Sequence, residues 1–147
     1  MDNNKLITEY NNITIEFLNQ AVNLCSKMDN DAVKLIDVVK LQNILEFENE
    51  FAIQFFLRYG IKYKNQIDIY DYSVIDKFDP KNIEIKLTSV STINKYFAFS
   101  KLWKKLNTDN KKIFFDYLQI MCNIALKYAE KTIINNKPNS PIDKCIN

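Results

Sequence analysis

Five lysines lie around a short polar connector in the C-terminal half of the chain, and they are the residues best suited to a chemical role. They are Lys101, Lys104, Lys105, Lys111 and Lys112, and the only tryptophan of the chain, Trp103, lies among them. Closely spaced ammonium groups attract anions, so this segment predicts a site for an acidic protein surface or for nucleic-acid phosphates. The alternative is a solvated helix face that carries lysines without a partner.

Charge is distributed unevenly along the sequence. Residues 1–84 carry nine basic and fourteen acidic side chains, a net charge of −5, whereas residues 85–147 carry eleven basic and four acidic ones, a net charge of +7. Such a chain can pair its basic end with an acidic protein surface, including that of a second copy. Nucleic acid is a less favoured partner, because arginine commonly makes such contacts and the only arginine, Arg58, lies in the acidic half.

Carboxylates are the first candidates for catalysis, because the sequence contains no histidine, the commonest general base and metal ligand. Four aspartates lie close together in the middle of the chain: Asp68, Asp71, Asp76 and Asp79. They lack the glycine and the terminal glutamate of a calcium-binding loop, so a solvated acidic loop explains them.

Cysteine is the second candidate. Cys25, Cys122 and Cys145 are far apart and show no CxxC spacing, so neither a zinc site nor a disulfide framework is expected. Cys25 and Cys122 are predicted to be buried small hydrophobes. We therefore predict a protein that is not an enzyme and has no catalytic residue, no cofactor and no metal site.

Apolar residues recur at helical spacing in the first part of the chain. From Leu6 to Met28 their steps of three and four predict one long amphipathic helix, which short polar side chains should end at residues 29–31. Residues 32–45 fit a second helix, and residues 50–60 a third. Gly60, the only glycine, is expected in the left-handed conformation just past the third helix.

The middle of the chain has the weakest pattern. Residues 61–90 are predicted to be irregular, with two short helical turns around residues 67–78, and residues 83–88 are compatible with a helix or with a lone extended strand. A helix that begins at Ser91 or Thr92 should end near Leu106, before a connector in which Thr108 is the predicted N-cap of the last helix. Trp103 is either a core anchor or an exposed interface residue, and its spacing favours the core.

The last helix is expected to be the most buried element and to form a hairpin with the helix before it. Its predicted core stripe consists of Ile113, Tyr117, Met121, Ile124 and Tyr128, widened by Phe114, Leu118, Cys122 and Ala125. These patterns predict an all-α or mainly α fold, a compact bundle of about five to six helices. The expected domain spans residues 1–135, and a proline-containing tail follows at residues 136–147.

The hairpin also carries a recognisable pattern of residues. It runs Trp103-Lys104-Lys105-Leu106, then Asn110-Lys111, then Ile113 and Tyr117-Leu118-Gln119. This pattern resembles that of a family of poorly characterised helical proteins of nucleocytoplasmic large DNA viruses, from which residues 114–116 depart. The resemblance implies a viral helical protein without known enzymatic activity, located in the virion or in the host cytoplasm.

These observations predict a non-enzymatic viral interaction or structural protein, with a minor capsid or capsid-associated component as the leading version. Its expected partner is a protein with an acidic surface or a second copy of the chain. One alternative is a nucleic-acid-binding accessory protein that uses the Lys101–Lys112 cluster. Another is a Bcl-2-like helical host-interference protein with a groove for an amphipathic peptide. No signal peptide and no membrane span are predicted.

Overall fold

A computed structural model describes residues 2–28, 38–77, 103–136, 141–142 and 144–145. Helix α1 is Asn3–Met28, α2 is Val38–Phe47 and α3 is Phe51–Tyr59. A 3₁₀ turn at Ile61–Tyr63 precedes two short helices, α4 at Lys64–Asp68 and α5 at Val74–Lys77. Residues 103–105 form a helical turn before the long helix α6 at Thr108–Asn136. Two short strands, β1 at Pro141–Ile142 and β2 at Lys144–Cys145, pair in parallel.

The predicted all-α fold is confirmed. The two short helical turns expected in the middle of the chain correspond to α4 and α5. The β1–β2 pair lies in the predicted tail, where the sequence pattern indicated no regular structure. The extended segment considered at residues 83–88 and the start of the helix at Ser91 or Thr92 lie outside the described residues.

The two longest helices, α1 and α6, form the main helix pair of the fold and run antiparallel. Near the start of α1, Asn3 Nδ2 donates a hydrogen bond of 3.3 Å to Thr132 Oγ1, close to the end of α6. Further along α1, Glu16 Oε1 accepts a hydrogen bond of 3.0 Å from the hydroxyl of Tyr117. Helices α2 and α3 also pack on α1, and α3 and α4 pack on α6. Both long helices therefore contact several of the shorter described helices.

Among the described residues, the core consists of two clusters of buried side chains. The first cluster joins α1, α3 and α6 and contains Leu6, Ile7, Tyr10, Ile53, Met121, Ile124, Ala125 and Tyr128. The second joins α1, α4, α5, the turn at residues 103–105 and α6, and it contains Ala21, Ile67, Val74, Trp103, Phe114, Phe115 and Cys122. Three partly buried side chains, Phe17, Phe56 and Leu118, pack against both clusters. Because these three side chains contact both clusters, we expect the two clusters to unfold together.

The buried face of α6 differs from the predicted stripe. Ile113, which was predicted to be a core residue, is 43% exposed, whereas Phe115, which was not in the predicted set, is 0% exposed. The residues expected only to widen the stripe, Phe114 and Cys122 among them, lie near the middle of the buried face. The reason is that α6 packs against α1 on one side and against α4, α5 and Trp103 on the other. The helix therefore buries a wider arc than one amphipathic stripe.

Gly60 does not adopt the predicted left-handed conformation. Its φ of −106° and ψ of −36° lie in the right-handed region, and its N–H donates a hydrogen bond of 2.7 Å to the carbonyl of Phe56. A Cβ at this position would lie 2.8 Å from Cδ1 and Cε1 of Phe56. Gly60 is therefore explained by the close approach of the Phe56 ring and not by a backbone conformation that only glycine adopts.

We expect Gly60→Ala to lower the free energy of unfolding by about 1–3 kcal/mol, because the new methyl group displaces the Phe56 ring from both core clusters. Chemical denaturation measures this change. In the background of Phe56→Leu, which removes the ring, the cost of Gly60→Ala should be clearly smaller. An equal cost in both backgrounds would contradict this explanation of Gly60.

Candidate protein-interaction site

The predicted lysine site lies where the turn at residues 103–105 meets the start of α6. Here Asn107 Oδ1 accepts a hydrogen bond of 2.8 Å from the backbone N–H of Asn110. The backbone carbonyl of Asn107 accepts a hydrogen bond of 3.1 Å from the backbone N–H of Lys111. These are the two bonds that an N-cap residue makes, so Asn107 caps α6 and the prediction of Thr108 as the cap is wrong. Asp109 lies in the first turn of α6, where a carboxylate stabilises the positive end of the helix dipole.

Trp103 is a core residue and does not contribute a surface to this site. Its ring stacks on Phe115 with centroids 5.9 Å apart, and the centroid of Phe114 lies 5.8 Å away. Tyr72 approaches edge-on at 6.3 Å. Because almost the whole indole is buried, its inclusion among the predicted interaction residues is corrected. Trp103 instead fixes the position of the turn that carries its lysine neighbours.

The described lysines of the predicted site fall into two groups. Lys112 Nζ forms an ion pair of 3.1 Å with Asp116 Oδ2 and lies 5.4 Å from the ring centroid of Tyr70. Lys111 Nζ lies 5.7 Å from the ring centroid of Trp103. Lys104 and Lys105 are exposed. Neither of them forms an ion pair with another residue in the described part of the chain.

Lys101, the fifth lysine of the predicted cluster, lies outside the described residues. The structure therefore brings four of the five lysines to one end of α6, and we call these four residues the lysine corner. Within it, Lys104, Lys105 and Lys111 form no ion pair with a described carboxylate, and of these three Lys104 and Lys105 are exposed.

Tyr70 contacts the lysine corner through Lys112 and has an unusual backbone conformation. Its φ is +56°, in the left-handed region that residues other than glycine rarely adopt. Two hydrogen bonds past the end of α4 account for this conformation, from Tyr70 N–H to the carbonyl of Ile67 at 3.2 Å and from Asp71 N–H to the carbonyl of Gln66 at 2.8 Å. They form a Schellman motif, which places its left-handed residue at Tyr70.

The hydroxyl of Tyr70 is held by α6. It donates a hydrogen bond of 2.7 Å to Asp116 Oδ1, and Gln119 Nε2, one turn further along α6, donates one of 3.1 Å to the carbonyl of Ile67. The hydrogen bond from Tyr70 lowers the pKa of Asp116, and the hydrogen bond from Lys112 lowers it further. A lowered pKa means that the ionised carboxylate stabilises the folded state.

This shift predicts a pH dependence of stability. A carboxylate with a lowered pKa stabilises the fold above its ordinary value of 3.8 and loses that contribution as the pH falls through the folded value. The melting temperature of Asp116→Asn should therefore lie below that of the unchanged protein at neutral pH, and the difference should narrow in acid. In the background of Tyr70→Phe, the difference in melting temperature caused by Asp116→Asn at neutral pH should be smaller. A difference that does not change with pH would contradict this assignment.

A second surface feature lies between α2 and α3, and sequence reasoning missed it. It is an open cleft of about 460 Å³, lined by Phe47, Glu48, Asn49, Glu50, Phe51, Gln54, Phe55, Arg58 and Tyr59. We call it the aromatic cleft. The side chain of Phe47 is 89% exposed at its edge. The available signal was the alternation of glutamate with phenylalanine or asparagine from residue 46 to residue 51.

The walls of the aromatic cleft are tied to the core. Along α3, the ring centroids of Phe51 and Phe55 lie 6.1 Å apart, and those of Phe55 and Tyr59 lie 4.9 Å apart. Glu50 Oε1 accepts a hydrogen bond of 2.9 Å from the hydroxyl of Tyr128, which lies in the C-terminal half of α6. The cleft is therefore fixed beside Tyr128.

Known proteins offer no guide to the role of these surfaces. The chain matches no family model, and no curated protein or solved structure is significantly similar to it. The lysine corner and the aromatic cleft must therefore be interpreted from their own geometry and charge.

Other candidate groups are placed as follows. Cys122 is buried, as predicted, and burial raises the pKa of its thiol to about 11. The side chain of Cys25 lies outside the described part of the structure. Among the described residues, no three acidic or thiol side chains come together in a way that could hold a metal ion. No helix within the described ranges is both long and apolar enough to span a membrane.

Proposed function

We propose that the chain acts by binding a protein partner through the lysine corner and not by catalysis. The observation that carries this proposal is the presentation of Lys104 and Lys105. Both ammonium groups are exposed on a turn whose backbone is anchored by the buried Trp103 on one side and by the Asn107 cap on the other. A fixed pair of unneutralised charges binds with less loss of conformational freedom than the same charges on a mobile segment.

The partner that this surface fits is a protein with an acidic surface. The resemblance of the hairpin to proteins of large DNA viruses supports a structural version of this role, in which the chain is a capsid-associated component of a virion. Carbodiimide cross-linking of purified particles, which joins lysine amines to neighbouring carboxylates, tests that version. Cross-links from Lys104 or Lys105 to a neighbouring acidic segment are expected, whereas absence of the chain from the particles would contradict it.

Charge reversal at Lys104 and Lys105 tests the proposed mode of binding. We expect Lys104→Glu with Lys105→Glu to preserve folding and to weaken binding to an acidic probe such as a polyglutamate peptide by about tenfold or more. The control is Lys5→Glu with Lys127→Glu, which makes the same change in net charge at exposed positions on α1 and α6. Lys112 is left unchanged, because a glutamate there would face Asp116.

The same variants separate a protein partner from nucleic acid. Fluorescence anisotropy with duplex and single-stranded DNA is expected to show negligible binding at physiological salt. For a nucleic-acid binder, the logarithm of the affinity would fall linearly with the logarithm of salt concentration, with a slope near −0.9 for each duplex phosphate neutralised. Tight, steeply salt-dependent DNA binding that K104E/K105E removes would overturn the proposal.

A further inference from the structure

We infer that the aromatic cleft of one copy accepts the lysine corner of a second copy, so that the chain associates head to tail. This inference rests on the proposed function, because it names the partner of the lysine corner. It starts from the uneven charge of the sequence, whose first 84 residues carry a net charge of −5 and whose remaining residues carry +7.

The aromatic cleft has the chemistry of a receptor for lysine. Glu48 and Glu50 line it together with one cation, Arg58, and α2 ends at its edge with Glu46 in the last turn. A carboxylate at the C-terminus of a helix opposes the helix dipole, and the last turn of α2 has no basic residue to offset it. An ammonium group from outside would relieve it.

The aromatic wall suits the rest of the lysine side chain. Lysine covers apolar surface with its methylene stem and keeps its charged end near polar groups, and an ammonium group within about 6 Å of an aromatic ring gains a cation–π contribution. Phe47 and Phe51 provide the rings, and Glu48 provides the carboxylate. A pair of adjacent lysines such as Lys104 and Lys105 can therefore use both parts of the cleft.

A copy cannot fill its own cleft with its own lysine corner. The corner lies at the start of α6, next to Asn107, whereas the cleft is bonded to Tyr128. These two positions are separated by about 30 Å along the helix, at about 1.5 Å per residue. Because the donor and acceptor surfaces are different and distant, one such contact between two copies leaves one lysine corner and one cleft free.

Sedimentation velocity over a wide concentration range tests this inference. The unchanged protein should associate reversibly and less strongly as salt is raised, and both Glu48→Lys and K104E/K105E should weaken association by about tenfold or more. Glu9→Lys, an exposed position on α1, and K5E/K127E are the matched charge controls and should associate like the unchanged protein. Glu50 is not replaced, because it accepts the hydrogen bond from Tyr128.

A mixing experiment distinguishes a contact between the lysine corner and the cleft from a contact of one of these surfaces with its own copy. Glu48→Lys retains an intact lysine corner and K104E/K105E retains an intact cleft, so an equal mixture should form dimers at a concentration at which each variant alone remains monomeric. Circular dichroism of each variant should match that of the unchanged protein, which excludes unfolding as the cause.

Three results would overturn the inference. They are a monomeric unchanged protein at every concentration, a Glu48→Lys variant that associates like Glu9→Lys, and a mixture that forms no dimers. In each case, binding of the acidic probe through Lys104 and Lys105 would still support the proposed function. If the unchanged protein did not bind the acidic probe through Lys104 and Lys105, both proposals would be contradicted.

Discussion

Phe115→Ala is expected to lower the free energy of unfolding by about 3–5 kcal/mol, the usual range for a buried phenylalanine truncated in a packed core. Phe115 is fully buried, and it contacts Trp103 with ring centroids 5.9 Å apart and Tyr72 with centroids 4.8 Å apart. Its removal therefore opens a cavity where α6 meets the turn at residues 103–105. Because that turn carries Lys104 and Lys105, the same variant should also weaken binding to an acidic probe.

Ile113→Ala is the matched control for Phe115→Ala. Ile113 lies two residues from Phe115 on the same helix, but its side chain is 43% exposed. We expect it to cost less than about 1 kcal/mol, since little apolar area leaves the core and alanine favours the helix. Urea denaturation monitored by circular dichroism measures both changes. If Ile113→Ala were the more damaging of the two, the buried face of α6 would have been assigned wrongly.

Ile53→Ala is expected to cost about 2–5 kcal/mol, the range for a fully buried isoleucine. Ile53 lies on α3 and packs in the first core cluster between α1 and α6. Its matched control is Ile133→Ala, the same substitution in a helix at a side chain that is 69% exposed, which should change stability by less than about 0.5 kcal/mol.

The two core variants also test whether the clusters act as one unit. Phe17, Phe56 and Leu118 contact both clusters, so Ile53→Ala and Phe115→Ala should each shift a single unfolding transition. Tryptophan fluorescence reports on the second cluster through Trp103, whereas circular dichroism reports on all helices. Transitions that separate in the Ile53→Ala variant would show that the clusters unfold independently.

Helices that bury one stripe could be predicted from the sequence, and α1 is the clearest example. The apolar positions that give it helical spacing include Leu6, Tyr10 and Ala21, and all three side chains are buried. Two further positions of the same stripe, Ile13 and Phe17, are partly buried against the core. Helix α6 could not be predicted to the same accuracy, because it packs against neighbours on two sides. One of those sides is formed by α4 and α5, whose short and irregular sequence carries little periodic signal. The burial of Phe115 depends on that side.

The candidate site was predicted in part. Sequence clustering identified the lysines, and spacing favoured a buried Trp103, which the structure has. The sequence could not show that Lys112 is paired whereas Lys104 is not. The contacts of Lys112 with Asp116 and Tyr70 depend on a Schellman motif at a residue that is not glycine. The aromatic cleft was missed because it depends on the angle between α2 and α3, which no local pattern encodes.

The pairing of α1 with α6 has a consequence for the order in which the chain folds during synthesis. The hydrogen bond between Asn3 and Thr132 joins residues 129 positions apart, and closing a loop of that size costs about 4 kcal/mol of chain entropy. The ribosome adds about 80 residues between the end of α1 and the start of α6, which takes roughly 4–16 s. During that interval the apolar stripe of α1 lacks its main partner. A chaperone that binds the nascent chain is therefore expected to contact α1 and to release it once α6 has emerged.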